Sequence, residues 1–344
     1  MKNYAHLDYT VEQLKKLLSI DSPTGFTAEV AEYTMKEFKA LGFNAWLTNK
    51  GCVAVDLGGE GDPVILSAHI DTLGGMVAEI KGNGRLRITN VGGMNANNAE
   101  TETCRIHCRL SDKIYEGTLQ MNDPSVHVNR DYSSQERNWA NMEIVIDEDV
   151  KCKADTEALG ISVGDFVCFD PRTVITSSGY IKSRFLDDKL SVAMLLGLAK
   201  DIAEGKVKPN RKVYGFVTVY EEVGHGCCAA LPDATEIISV DMGCVGMGLQ
   251  CTEKDVSICA KDSRGPYNYE VTTNLIKCAK ELNLGYAVDV YPFYGSDADA
   301  ALGAGYDLKH GLIGAGVYAS HGYERSHLEG VDNTMKLMEA YIEL

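Results

Sequence analysis

The sequence first offers chemistry at His69-x-Asp71, where the apolar run Val64-Ile-Leu-Ser-Ala ends. A short apolar run of this kind reads as a buried strand. Residues i and i+2 of an extended chain share a face. Asp71 can therefore stand behind His69 and accept from the ring nitrogen that His69 does not use, the arrangement that holds a metal-bound imidazole. Alone, a His-x-Asp is more often a packed core histidine. Three acidic junctions downstream alter that balance. Asp187-Asp188 precede a helical pattern, Glu221-Glu222 follow Val213–Tyr220, and Asp241 follows Ile237–Val240.

In open α/β sheets, sites form outside the carboxyl ends of the strands. Those junctions would gather several carboxylates and a histidine in one crevice. Like charges so close repel unless cations neutralise them, and a pair of divalent metals is the economical neutraliser. Asp187 can bridge two metals with its two oxygens, while Asp188 opens the following helix, where negative charge suits the dipole. Neighbouring side chains on extended backbone face opposite ways, so Glu221 and Glu222 should divide the work: one binds metal, the other is a free base. The glycines of Val223-Gly-His-Gly226 let backbone approach the site.

The elements that position these residues alternate. Helical spacing covers about 8–20, then a stretch from Thr27, with Thr27 as cap, to Gly42. Strands are predicted near 44–48 and 52–56, then the His69 strand. After residue 182 helix and strand alternate again: a helix over 188–204, strands over 213–220, 236–240, 286–291 and 311–317, a helix within 265–283, a short one over 297–303 and a last one over 328–344. The pattern predicts an α/β fold, a mixed and mostly parallel sheet with helices on both faces. Between 73 and 180 short alternating runs and Gly/Asx turns replace helical periodicity, predicting a small inserted β-barrel domain. Residues 1–72 and 181–344 would form the catalytic domain. Asn122–Ala140 reads as a long loop.

The chain has 344 residues, 45% hydrophobic and 24% charged, with 33 basic and 49 acidic residues for a net charge of −16. Such an acidic chain argues against nucleic acid, whose phosphates call for a basic surface. No apolar run approaches the roughly 20 residues that span a bilayer, and no signal-peptide pattern opens the chain. The eleven cysteines are odd in number and scattered, which reads as reduced thiols in a cytoplasmic protein.

Together the motifs resemble the tetrahedral, or glutamyl (deblocking), aminopeptidase family of dinuclear metallopeptidases, over nearly the whole chain. Ala68-His-Ile-Asp71, Leu186-Asp-Asp-Lys189, Glu221-Glu-Val-Gly224, Val240-Asp241 and Gly295-Ser-Asp297-Ala298 stand in the family's order. The resemblance implies a zinc-peptidase-like catalytic domain with a PDZ-like insert. His69, Asp187, Glu222 and Asp241 would be metal ligands, Glu221 the general base, and Asp71 the residue that orients His69. Asp297 would lie near the substrate side, structural or facing the substrate amine, and His225, which adjoins the site, would pack its loop or touch substrate. The last ligand is a histidine before the final helix. His321 fits that pattern better than His327, which stays as the alternative. Lys189 replaces the family's arginine.

The implied activity is removal of N-terminal residues from peptides by water activated between two divalent metals, zinc or cobalt, with manganese acceptable to the same donors. The insert would drive homo-oligomer formation, up to a tetrahedral dodecamer. A deacylase or carboxypeptidase acting on N-acyl amino acids, a polysaccharide hydrolase and a non-catalytic metal-binding protein are the alternatives. Glycoside hydrolysis needs a carboxylate pair and no metal, which disfavours the polysaccharide hydrolase.

Overall fold

A computed structural model describes residues 4–344. It contains two compact units, one reaching to Asp71 and resuming at Arg172–Leu344, the other Thr72–Pro171. The larger unit is built on a twelve-stranded sheet. At its centre Val213–Thr218, Val64–His69, Glu236–Val240 and Lys309–Tyr318 lie side by side and parallel. Central parallel strands are covered on both faces, which is why Val64–His69 is mostly apolar and buried at every residue. Antiparallel strands flank the centre: Val53–Gly58 and Asn44–Leu47 on one side, Glu324–His327, Tyr180–Ser183 and Val174–Ile175 on the other.

Register decides what meets at the rim. Thr218 pairs with His69, so two central strands end level. The Glu221 loop leaves from one and Asp71 from the other. Val240 ends the next strand, with Asp241 immediately after it.

Helices Asp8–Leu18, Ala28–Ala40 and Leu186–Ala203 bury Leu14, Leu17, Val30, Phe38, Leu190 and Met194 in one core. Lys189 is buried there as well. Its ammonium donates to the carbonyls of Leu17 and Ile20 at 2.8 and 2.7 Å. A cation at a helix C-terminus is favoured by the orphan carbonyls, so this lysine fixes the first helix against the one that follows Asp187. Two cap expectations change. Thr27 precedes Ala28–Ala40 but makes no side-chain cap bond. Asp188 does not open the helix. Its backbone is non-helical, and its Oδ2 accepts the His69 N–H at 3.0 Å.

The smaller unit is a closed antiparallel barrel with strand order Gly74–Ile80, Leu86–Val91, Met142–Ile146, Ile114–Met121, Thr103–His107, Phe166–Phe169. Val77, Ile88, Ile106, Leu119, Ile144 and Val167 fill it. One helix, Lys153–Leu159, was not predicted; its seven residues are too few to show a 3.6-residue period. The sequence reading carries the insert to 180, whereas the unit ends at Pro171. Val174–Ile175 pairs with Tyr180–Ser183, which pairs with Glu324–His327, and these bonds tie 172–183 to the larger sheet. Among the described residues, no helix is long and apolar enough to cross a membrane.

Candidate active site

His69 ends its strand buried at 2% exposure. Its Nε2 lies 3.0 Å from Asp187 Oδ1 and 3.7 Å from Glu221 Oε2. The other ring nitrogen, Nδ1, lies 3.0 Å from the backbone carbonyl of Asp71 and 3.7 Å from its Oδ1. The predicted partner is thus the right residue through a different group. The Asp71 carboxylate is engaged elsewhere. It accepts the Thr24 hydroxyl at 2.6 Å, the Glu221 N–H at 3.1 Å and the Glu222 N–H at 3.4 Å.

Asp187 stands between two imidazoles. Oδ1 faces His69, while Oδ2 accepts the Ser320 hydroxyl at 3.1 Å and lies 3.6 Å from His321 Nε2. His321 Nε2 is also 3.5 Å from Glu222 Oε2. Two donor groups result: His69, Asp187 and Asp241 in one, Asp187, Glu222 and His321 in the other, each with ligand atoms within 4.8 Å of one another. Asp187 belongs to both. His327 is committed to other work. Its Nδ1 caps the final helix by accepting the Glu329 N–H at 2.9 Å, Nε2 lies 3.0 Å from the Ser178 carbonyl, and the ring meets Tyr180 edge-on.

The charge balance shows what such a cluster needs. Burial, then the charge of Asp187, pushes Asp241 up to about 7. Burial also raises Glu221 and Glu222 well above the usual carboxylate range. Asp187 is buried too, but the hydrogen bond and charge of His69, with the charge of His321, hold it below its ordinary value. Glu222 Oε1 is buried and has no hydrogen-bond partner. An orphaned carboxylate oxygen is costly, and oxygen and imidazole donors around a shared carboxylate suit divalent cations. The residues present therefore fit a pair of such ions.

Asp297 and His225, expected beside the substrate, also make contacts within the protein. Both oxygens of Asp297 have partners within the protein: Oδ2 takes the Thr218 hydroxyl and Oδ1 the Cys227 N–H at 2.8 Å. The residue underpins the Glu221 loop. A Cβ at Gly226 would fall 2.2 Å from its Oδ1, so that glycine is required by close approach. His225 is exposed and stacks on Tyr220, ring centroids 5.3 Å apart. Lys50 completes the loop's fastenings. Its ammonium donates to the carbonyls of His225, Gly226 and Cys228 and lies 5.6 Å from the Tyr220 ring centroid.

Sequence reasoning gave no role to Lys50, Thr24, Ser320 or Glu324. Thr24 and Glu324 carried local signals: the turn cluster Asp21-Ser-Pro-Thr-Gly25, and an acid three residues after His321. Ser22 of that turn donates to the Ile70 carbonyl at 3.0 Å, so the turn braces both sides of the Ile70–Asp71 junction.

The model of the M42 glutamyl aminopeptidase family matches residues 51–337. The chain belongs to the M42 family. It is 46% identical over 337 residues to YhfE of Bacillus subtilis strain 168, provisionally named an aminopeptidase, covering 97% of each chain. Solved M42-like folds superpose closely. A TET aminopeptidase from the Thaumarchaeota archaeon SCGC AB-539-E09 has a TM-score of 0.89 at 18% identity, covering 98% of this chain and 97% of that one. The TET1 peptidase of Pyrococcus horikoshii, described as assembling into a tetrahedron or a large octahedral shell, gives 0.84 at 22% identity, covering 96% and 98%. The protein is thus an M42 metal-dependent aminopeptidase, and the aminopeptidase reading of the sequence stands ahead of its alternatives.

Proposed function

We propose that this M42 enzyme removes N-terminal residues from peptides at the rim where His69, Asp187, Glu221, Glu222, Asp241 and His321 meet. The observation that carries the reading is the position of Asp187, with one oxygen toward His69 and the other toward His321. His69 and Asp241 would hold one cation, Glu222 and His321 the other, and Asp187 both. Two divalent cations held there would acidify a water molecule and polarise the scissile carbonyl.

The chain's own groups do the rest. Glu221 supplies the proton relay. Its Oε2 takes a proton from the attacking water as the C–O bond forms, then gives it to the leaving amine nitrogen as the C–N bond breaks. Asp71 holds Glu221 in place through the backbone amide. His69 stays aimed because its Nδ1 is fixed on the Asp71 carbonyl. A free substrate α-amine would bind one of those cations or a nearby carboxylate, which would restrict cleavage to the N-terminal residue.

Zinc or cobalt suits the mixed donors, and manganese is acceptable to them. We further infer that the barrel drives self-assembly into a closed shell, as large as a dodecamer, and that the enzyme works in the cytoplasm, a setting that suits its eleven free thiols. A monomer in size-exclusion chromatography would remove the shell. A panel of aminoacyl anilides and their N-acetylated counterparts tests the activity. Cleavage of free-amine substrates only, abolished by chelator and restored by zinc or cobalt, is expected. Preference for acetylated substrates would contradict it.

A further inference from the structure

Glu324 is buried at 2% exposure at the start of a strand, with backbone amides as partners. Its Oε2 accepts the Asp187 N–H at 3.1 Å, and its Oε1 accepts the His321 N–H at 3.1 Å. The Leu186 amide bonds to it as well. One carboxylate thereby joins two segments far apart in the chain, each carrying a donor of the Asp187, Glu222 and His321 group. The His321 backbone needs such a hold. Its φ is +64°, in the left-handed region that side chains with a Cβ rarely occupy. It sits in a tight turn closed by Gly322 N–H to the Ala319 carbonyl at 3.0 Å.

A carboxyl group presents one oxygen to each of these two amides. A glutamine there would present an amide NH2 to a backbone N–H, leaving a buried donor facing a donor. We propose that Glu324 is a positioning residue for the second cation, setting the spacing of Asp187 and His321 without itself being a ligand. This rests on the assignment of His321 as that cation's ligand.

Zinc binding to the apo enzyme, followed by calorimetry, separates the two claims. The unaltered enzyme should bind two equivalents, and His321→Ala one. Glu324→Gln should bind the first equivalent as the unaltered enzyme does and the second about 10- to 100-fold more weakly, the usual effect of removing a group that supports a ligand. Glu324→Asp keeps both acceptors on a shorter stem and should fall between; it carries the test if Glu324→Gln does not fold. Two equivalents bound normally by the Glu324 variant, with one lost in His321→Ala, would overturn the positioning role and leave the site reading intact. Equal weakening of both equivalents would also overturn it. Two equivalents retained by His321→Ala would overturn the site reading itself.

Discussion

The carboxylate of Asp71 accepts the backbone N–H of Glu221 at 3.1 Å, across a separation of 150 residues. The same side chain takes the Glu222 amide and the Thr24 hydroxyl. A residue whose carbonyl orients His69 thus also sets the backbone of the proposed base and of a candidate ligand.

Asp71→Asn exchanges one acceptor oxygen for a donor that faces either an amide or a hydroxyl. Misplacement of the Glu221 loop by an ångström is enough to lower turnover by about 100-fold. Steady-state kinetics should show that loss in kcat, with zinc still bound. A variant with full kcat would separate Asp71 from loop placement.

Lys50 fastens the other end of the loop through the carbonyls of His225, Gly226 and Cys228. Lys50→Met keeps the stem's packing and removes the donors. Its kcat should fall about tenfold, or roughly 1.4 kcal/mol of barrier, with faster amide exchange over 223–228. Unchanged exchange there would show that the loop holds without it.

Glu221→Gln should keep both cations and lose turnover by about 10²- to 10⁴-fold, as removal of a general base does. Metal analysis beside kinetics distinguishes this from a lost ligand. Loss of a cation together with activity would transfer Glu221 to the ligand set.

Away from the site, burial and then the charge of Asp201 raise Glu339 from 4.5 to about 7. Between those values the folded state keeps a proton that the unfolded chain has released, so stability falls as pH rises through that window. The cost is complete above about 7 and absent below about 4.5. Glu339→Gln should therefore raise the melting temperature near pH 8 and leave it unchanged near pH 4. An equal shift at both would assign the effect to packing instead.

The central strands were legible because burial on both faces writes mostly apolar runs into the chain. The acids at strand ends were legible for the same reason, since a run that stops at a charge marks the rim. Lys50 was not. Its partners are backbone carbonyls 175 to 178 residues away, and backbone leaves no residue type to read. Glu324 was legible only as an acid near His321; its bond to the Asp187 amide, 137 residues away, was not. The carbonyl role of Asp71 was hidden likewise: spacing predicts which residue lies behind His69, not which of its oxygens is free. Asp188 misled because an acid before a helix looks like a cap, whereas the His69 amide claims it.

The most direct test is anomalous diffraction from crystals soaked in zinc or cobalt. Two peaks should appear, both touching Asp187, one with His69 and Asp241 and the other with Glu222 and His321. A single peak, a peak on His327, or a pair that leaves Asp187 untouched would contradict the account.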